Sequence, residues 1–201
     1  MNHTEQKLLT PRGMAKIAIL SAVSFILMMF EFPLPFAPSF YKLDFSEVGV
    51  LLGGFAMGPM AAVAIEGLKI VLNLLFTGSS TAYVGEFANF VIGCSFAVTA
   101  SLIYKHHKSR KSALTGMVTG TLVMALVGAV INAVVLLPMY SVLYQMPMDA
   151  LIGMGSAIIP AIHDIWTFAL FAVVPFNLVK GILVSVFVFI LYKHVSPLLH
   201  R

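Results

Sequence analysis

The chain has 201 residues, of which 60% are hydrophobic and 10% are charged, and its formal net charge is +4. Soluble globular domains contain about 25% charged residues, so this composition excludes a soluble domain and indicates an integral membrane protein in a lipid bilayer. The length fits one membrane domain, 1–201, without a soluble appendage. Cys94 is the single cysteine, which excludes an intramolecular disulfide and argues against a thiolate metal site.

Six apolar segments are predicted to be membrane-spanning helices, because a run of about 20 apolar residues crosses the hydrocarbon core of a bilayer. Their predicted bounds are 13–31, 46–57, 59–77, 83–104, 113–138 and 175–194. The second segment would extend only about 18 Å at 1.5 Å per residue, against a core of about 30 Å. Its length alone would make it a re-entrant segment.

The basic residues divide the predicted loops between two sides of the membrane. Nine of the twelve Lys and Arg residues lie in the segments 7–16, 105–111 and 193–201. Positive residues mark the cytoplasmic side of a membrane protein. Segments 7–16 and 105–111 can lie on the same side only if an even number of crossings separates them. That number is even only if 46–57 also crosses the membrane. The sequence therefore predicts an all-α protein with six spanning helices, a short second helix, both termini in the cytoplasm and loop 32–45 outside.

The connection 139–174 is also placed outside, and it is too long to be a simple turn. Two interpretations remain open from the sequence. Either a pair of short helices lies over the outer mouth and Pro175 begins the last span, or one long helix runs from 164 to 194 with a kink at Pro175.

Polar side chains occur inside these apolar segments. A charge at the centre of a bilayer costs about 2.5–3.5 kcal/mol on insertion scales, so such residues are expected to face the protein interior or water. The predicted topology brings five of them to the outer half of the bundle, which predicts an outward-facing pocket with amides, an ammonium and a carboxylate. With three aromatic wall residues, the predicted ligand-binding residues are Lys180, Asn177, Asn132, Asn89, Glu86, Tyr41, Phe45 and Tyr83.

Several polar residues in the spans also have structural interpretations. Lys180 could extend its side chain to the outer interface, and Asn132 alone is more typical of a hydrogen bond between helices than of a ligand contact. Glu66 and Lys69 are three residues apart on one helix, which favours mutual neutralisation. Lys69 nevertheless competes with Lys180 as a candidate ligand donor.

Small residues and missing motifs bear on partners and on catalysis. Ala15, Ala18 and Ala22 line one side of the first predicted helix, and such a stripe permits close approach of a second helix, from this chain or from a partner. The sequence contains no GxxxxGKS/T, HExxH or GxSxG motif. His163 next to Asp164 favours a helix cap over a catalytic pair. An enzyme is therefore not expected.

Several segments resemble a known family over nearly the whole chain. They are the pair Ala18 and Ala22, KLDFSEVGVLLGGFAMGP (42–59), VGEFANFVIG (84–93), Asn132 and PFNLVKG (175–181). In these segments the chain resembles the substrate-binding S components of energy-coupling-factor (ECF) vitamin transporters, and among them the riboflavin-specific members. PFNLVKG is the most specific of the segments, whereas S components for many substrates share the alanine stripe.

The resemblance implies a six-helix protein of the bacterial plasma membrane that binds riboflavin on its outer side. It implies that a membrane coupling subunit and two cytoplasmic ATPase subunits energise transport. Ala18 and Ala22, with Ala15 in the same stripe, would face the coupling subunit, and loop 32–45 would act as a gate over the vitamin. Neither a cofactor, a metal nor a nucleic-acid partner is expected.

An S component for thiamine, biotin or folate is the nearest alternative. Thiamine favours carboxylates and aromatic stacking, whereas a carboxylate vitamin would use Lys180 as its counter-ion. The asparagines near Lys180 favour a flavin, whose ring edge alternates carbonyls with an N–H that amides can match. A phosphorylated flavin would need a basic residue at the mouth, where Lys42 is available. An intramembrane enzyme or a structural subunit is a more remote alternative.

Overall fold

The computed structural model describes residues 8–38, 40–79 and 81–199, and side chains as far as Tyr192. The first half contains α1 (Pro11–Met29), β1 (Phe32–Pro33), β2 (Lys42–Leu43), α2 (Glu47–Met57), α3 (Pro59–Phe76) and α4 (Val84–His106). The second half contains α5 (Arg110–Ile131), α6 (Leu137–Leu143), α7 (Met148–Ser156), α8 (Ile165–Phe168) and α9 (Val174–Leu199). Two π-helical turns, Asn132–Leu136 and Ala169–Val173, join α5 to α6 and α8 to α9.

Local sequence explains where two of the long helices begin. Thr10 caps α1 by accepting a hydrogen bond from the Gly13 amide at 3.2 Å, and Pro11 occupies the first turn, where its missing N–H costs nothing. Ser109 caps α5 by accepting from the Ser112 amide at 3.1 Å. Polar caps therefore mark helix boundaries that the apolar runs alone would leave undefined.

Five helices in the described part of the chain are long and apolar enough to cross a membrane: Pro11–Met29, Pro59–Phe76, Val84–His106, Arg110–Leu143 and Ile165–Tyr192. The protein is thus a helical membrane protein. The shorter α2 is about 16 Å long, and its residues from Glu47 to Phe55 are all buried. It packs against α1, α3, α4 and α9, so protein rather than lipid covers its backbone.

The last long helix begins earlier than the predicted span at Pro175. It starts at Ile165, where Asp164 accepts hydrogen bonds from the Trp166 and Thr167 amides, each at 2.8 Å. The helix-cap interpretation of Asp164 is confirmed, and the single-long-helix interpretation is the correct one. Residues 144–164 are all described, and they contain one short helix, α7. The interpretation of this connection as a pair of short helices was therefore wrong.

Prolines explain the two π-helical turns. Asn132–Leu136 ends two residues before Pro138, and Ala169–Val173 ends two residues before Pro175. A proline inside a helix lacks an N–H and clashes with the carbonyl four residues earlier, and a wider turn relieves that clash. The long helices therefore continue through their prolines, and the fifth extends beyond its predicted end at 138.

Loop 32–45 contains a structure that the all-α prediction missed. Its two ends form a small antiparallel ribbon, in which β1 pairs with β2. Ala37 and Leu43 of the loop share a small apolar cluster with Phe176 of α9. The ribbon and this cluster together hold the loop against the last long helix.

Glycines on α5 allow α4 and α9 to approach closely. A Cβ at Gly116 would lie 2.7 Å from the carbonyl oxygen of Ala100 in α4, and a Cβ at Gly128 would lie 2.7 Å from Nδ2 of Asn177 in α9. Gly116 and Gly128 are twelve residues apart on α5 and meet different neighbouring helices. Both glycines thus pack within the chain, and Gly128 packs against a candidate site residue.

Gly116→Ala is expected to destabilise the protein by about 1–3 kcal/mol, because the new methyl group overlaps a backbone carbonyl that can move only if α4 shifts. Gly153→Ala in α7 is the matched control, since nothing lies within 4 Å of a Cβ at that position. Thermal unfolding in detergent checks the prediction. Equal stability of the two variants would contradict the close packing of α4 and α5.

Candidate ligand-binding site

A cavity of about 660 Å³ lies among loop 32–45 and the long helices, and sites for small molecules typically measure about 300–1,000 Å³. The polar residues that line it are Glu31, Lys42, Asp44, Asn73, Thr77, Thr81, Glu86, Asn89, Asn132, Asn177 and Lys180. The larger apolar and aromatic residues that line it are Met28, Met29, Phe40, Tyr41, Ile92, Leu136, Tyr140, Tyr144, Met146, Leu151, Met154 and Phe176. Six of the eight predicted ligand-binding residues therefore share one cavity.

Lys180 projects into the cavity from the first turns of α9 and is paired with Asp44. Its Nζ lies 2.9 Å from Oδ2 of Asp44, and the two residues are 8% and 4% exposed. The backbone amide of Ser46 donates to the other oxygen of Asp44 at 2.8 Å. The ammonium is thus held inside the protein and does not extend to the interface. An ammonium has three N–H donors, so this pair leaves donors for a bound molecule.

Asn132 and Asn177 also line the cavity and are buried. Nδ2 of Asn132 donates to the Gly128 carbonyl at 2.7 Å, and Nδ2 of Asn177 donates to the Val173 carbonyl at 2.9 Å. Each asparagine is therefore anchored to its own long helix next to a π-helical turn. Such turns are frequent at functional sites because they redirect side chains within a helix.

Tyr41 connects loop 32–45 to the floor of the cavity through its hydroxyl, which donates to Oδ1 of Asn132. Burial, with a smaller contribution from Tyr140, raises the pKa of the Tyr41 hydroxyl well above its usual value. The hydroxyl therefore stays protonated and keeps its role as donor. The loop and α5 are joined by this bond at the cavity.

A second set of polar residues in the cavity lies around the start of α4. Oε2 of Glu86 accepts hydrogen bonds from the hydroxyls of Ser79 at 2.9 Å and Thr81 at 2.8 Å. Asn89, about one turn later, and Asn73, from the end of α3, line the same cavity. This group offers carboxylate, amide and hydroxyl functions to a polar ligand.

Two predicted wall residues do not line the cavity. Tyr83 is 67% exposed and adopts a left-handed φ of 69° at the start of α4. Phe45 contacts Phe32 and Phe187 instead, because its neighbour Asp44 takes the position facing the cavity. The aromatic walls come from Phe40, Tyr41, Tyr140, Tyr144 and Phe176.

Asp44 is a site residue that was not predicted from the sequence. It is separated from Lys180 by 136 positions, and sequence patterns do not indicate contacts over such a separation. No local pattern distinguishes the acidic residue that pairs with the lysine. The contributions of Met146, Leu151 and Met154 were not predicted either, since they depend on how α7 and its flanking segments fold over the cavity.

Lys69 does not line the cavity. Its Nζ lies 2.8 Å from Glu66 Oε1 and 3.0 Å from Glu47 Oε1, and the side chain is fully buried. The predicted contact between Glu66 and Lys69 on one helix is therefore confirmed. Of the two lysines considered as ligand donors, Lys180 is the one that reaches the cavity.

Electrostatics fix the charge state of Asp44. Burial by itself raises the pKa of this carboxyl, but the charges of Lys180 and Lys69 and a hydrogen bond from Ser46 outweigh burial and lower the pKa from 3.8 to about 2. Asp44 is therefore ionised throughout the physiological range and holds Lys180 as a cation.

Asp44→Asn is expected to flatten the acid dependence of stability. A carboxyl whose pKa falls on folding stabilises the native state above the unfolded pKa, and this contribution disappears as the pH drops through the folded pKa. Wild-type protein should therefore lose stability between about pH 4 and about pH 2 more steeply than the variant. Thermal unfolding across this range checks the prediction, and equal slopes would contradict it.

The small residues Ala15, Ala18 and Ala22 are exposed on α1, whereas Ile17, Leu20 and Ser24 face the core. The alanine stripe thus does not pack within the described chain. Among the described residues, no group of three or more His, Cys, Asp or Glu side chains is placed to hold a metal ion.

Comparison with known proteins identifies the family of the chain. The family model described as "ECF transporter, substrate-specific component" matches residues 12–192. The chain belongs to this family of S components. The family is a transport component and not a class of enzymes, and this S component is a multi-pass protein of the bacterial plasma membrane.

This S component is similar to curated riboflavin transporters over most of its length. It is 37% identical to riboflavin transporter RibU of Staphylococcus aureus (strain TCH60), over 92% of this chain and 90% of the relative. It is 29% identical to riboflavin transporter FmnP of Bacillus subtilis (strain 168), over 90% of each chain. Its fold matches a solved structure of the S component of a bacterial ECF transporter with a TM-score of 0.72 and 37% identity, over 94% of this chain and 97% of that one.

Proposed function

We propose that this S component is the high-affinity riboflavin-binding subunit of an ECF-type, ATP-driven vitamin uptake transporter. It captures the vitamin on the outer face and delivers it inward with a separate coupling and ATPase module. The observation that carries the proposal is the convergence of Asn132, Asn177 and Lys180 in one aromatic-lined cavity. The relatives named as riboflavin transporters support it.

The chemistry of the flavin ring suits these side chains. One edge of the isoalloxazine ring alternates carbonyls with an N–H, and the asparagine amides provide both donors and acceptors while Lys180 donates to a carbonyl or ring nitrogen. Phe40, Tyr41 and Phe176 offer apolar faces to the flat ring. An unpaired polar edge in a buried site would cost about 1–3 kcal/mol, so this set of partners favours a flavin.

The other end of riboflavin is a chain of hydroxyl groups. Glu86 and Asn89 offer acceptors and a donor to such a chain, and Asn73 lines the same cavity. Hydroxyls can replace the waters that these polar groups would otherwise bind. The ligand role of Glu86 and Asn89 is therefore assigned to this part of the vitamin.

The charges of the cavity favour riboflavin over its phosphate ester. Among the described residues that line the cavity, the cationic ones are Lys42 and Lys180. Lys42 is paired with Glu31, and Lys180 is paired with Asp44. A phosphate group would have to displace one of these carboxylates to gain a counter-ion, whereas a neutral hydroxyl would not.

The proposed topology has six crossings in a single membrane domain, 1–201, with both termini in the cytoplasm and the cavity open to the outside. The short α2 makes the second crossing and is surrounded by α1, α3, α4 and α9. Loop 32–45 acts as the gate, because Phe40 and Tyr41 lie at the cavity and Tyr41 bonds to Asn132. Opening the gate would break that bond and expose the ligand.

The proposed partners are a membrane coupling subunit and two cytoplasmic ATPase subunits. Ala15, Ala18 and Ala22 form the docking surface for the coupling subunit. Their exposure on α1 leaves a shallow surface of small side chains, on which a partner helix can approach closely.

A competition experiment tests the proposed ligand. Purified protein in detergent is expected to quench riboflavin fluorescence on binding, and excess thiamine, biotin or folate should not displace the flavin. FMN should compete more weakly than riboflavin because it brings an additional phosphate charge. Displacement of riboflavin by one of the other vitamins, or the absence of quenching, would contradict the proposal.

A further inference from the structure

A buried charge cluster lies in the core of the bundle, apart from the ligand cavity, and consists of Glu47, Glu66 and Lys69. Each of the three residues is at most 1% exposed. Lys69 Nζ lies 3.0 Å from Glu47 Oε1 and 2.8 Å from Glu66 Oε1, and it donates to Ser46 Oγ at 3.0 Å. Two carboxyl groups thus share one ammonium, which leaves one negative charge if both are ionised.

The surroundings of the cluster do not balance that charge. The described groups that act on it electrostatically from other elements are Asp44 of the loop, Cys94 of α4 and Lys180 of α9. Asp44 and Lys180 are paired with each other at 2.9 Å and are neutral as a pair. A thiol supplies no positive charge. An unbalanced charge in a protein interior is strongly unfavourable.

The two carboxyl groups differ in their positions along their helices. Glu47 begins α2, where the helix dipole favours an anion, and its Oε1 accepts a hydrogen bond from Lys69. Glu66 lies inside α3, away from a helix N-terminus, and its Oε1 lies 2.8 Å from Lys69 Nζ. Its Oε2, like Oε2 of Glu47, has no hydrogen-bond partner among the described residues. Glu66 is therefore the less stabilised anion of the two.

The space around the cluster is small. A Cβ at Gly93 of α4 would lie 2.8 Å from Glu47 Oε1 and 2.5 Å from Glu66 Oε1. The carboxyl groups thus fill the room that this glycine leaves. A metal cation would need several further oxygen ligands, whereas a proton needs no additional volume.

We propose that Glu66 is a proton-binding site, occupied in the folded protein, which makes the buried charge cluster neutral. Ser46 connects this site to the ligand cavity, because its hydroxyl accepts from Lys69 and its amide donates to Asp44, which holds Lys180. The proton therefore also stabilises the segment that positions the ligand lysine. The site itself does not depend on which ligand the cavity takes.

Infrared spectroscopy of the purified protein at neutral pH tests the proposal directly. Wild-type protein is expected to show the carbonyl band of a buried protonated carboxylic acid, which Glu66→Gln removes and Asp149→Asn, at the exposed start of α7, retains. Glutamine mimics the neutral acid in shape, so Glu66→Gln should fold. A wild-type spectrum without the band, or a band that persists in Glu66→Gln, overturns the proposal.

The pH dependence of thermal unfolding provides a second measurement. A proton bound in the folded state and released on unfolding makes stability fall as the pH rises above the unfolded glutamate pKa of about 4.3. Between about pH 6 and about pH 9, wild-type protein should lose several degrees of melting temperature relative to Glu66→Gln. Cys94→Ala in both backgrounds controls for ionisation of the nearby thiol. An equal dependence of melting temperature on pH in wild-type protein and Glu66→Gln would overturn the assignment. Stabilisation of wild-type protein by sodium at high pH would also overturn it, because a metal cation would then occupy the site in place of the proton.

Discussion

Lys180→Met is expected to weaken riboflavin binding by about tenfold to a hundredfold, because it removes a charge-assisted hydrogen bond to the buried ring edge. The substitution also leaves Asp44 without its counter-ion at 2.9 Å, which would destabilise the protein by itself. Quenching titrations measure the affinity, and thermal unfolding of the same samples measures stability.

The double variant Lys180→Met/Asp44→Asn separates the two effects. It removes both charges and should recover much of the lost stability while riboflavin binding stays weak. Lys105→Met, at the exposed end of α4, is the control for loss of a lysine elsewhere. Wild-type affinity in Lys180→Met and also in Asn177→Ala would refute the site assignment.

Ala18→Trp is expected to abolish energised riboflavin uptake while leaving riboflavin binding unchanged. The alanine is exposed on α1 and lies away from the residues that line the cavity. A tryptophan there would hold a partner helix too far away for close packing. Uptake into cells that contain the coupling module and binding to the purified protein are measured in parallel.

Leu126→Trp is the matched control for this substitution. Leu126 is 67% exposed on α5, so tryptophan at this position meets lipid and should leave both uptake and binding intact. Retained uptake in Ala18→Trp would show that the alanine stripe is not the docking surface. Equal loss in both variants would indicate a general effect of the added bulk.

The membrane character and the polar site could be predicted from the sequence. Both predictions depend on the free energy that polar and charged side chains cost in lipid. A lysine and asparagines inside apolar helices are expensive there, so the sequence by itself predicts that Asn132, Asn177 and Lys180 face a polar interior. A short apolar α2 was also predicted, and the charge distribution is the reason for proposing that it crosses the membrane, which its length alone does not support.

Other features depend on contacts that sequence patterns do not encode. The Asp44–Lys180 pair and the Tyr41–Asn132 bond join positions far apart in the chain. The π-helical turns arise from prolines that a helix accommodates instead of ending, which is why the last helix begins at Ile165 and not at Pro175. Phe45 and Tyr83 were misplaced because aromatic character alone does not reveal which way a residue at a helix start points.

The visible absorption spectrum of the protein purified in detergent without added ligand tests the central claim most directly. We expect a yellow sample with flavin absorption and quenched fluorescence, because a ligand that binds the folded protein with high affinity stays bound through purification. A colourless sample that leaves riboflavin fluorescence unchanged on titration would contradict riboflavin as the ligand of this cavity.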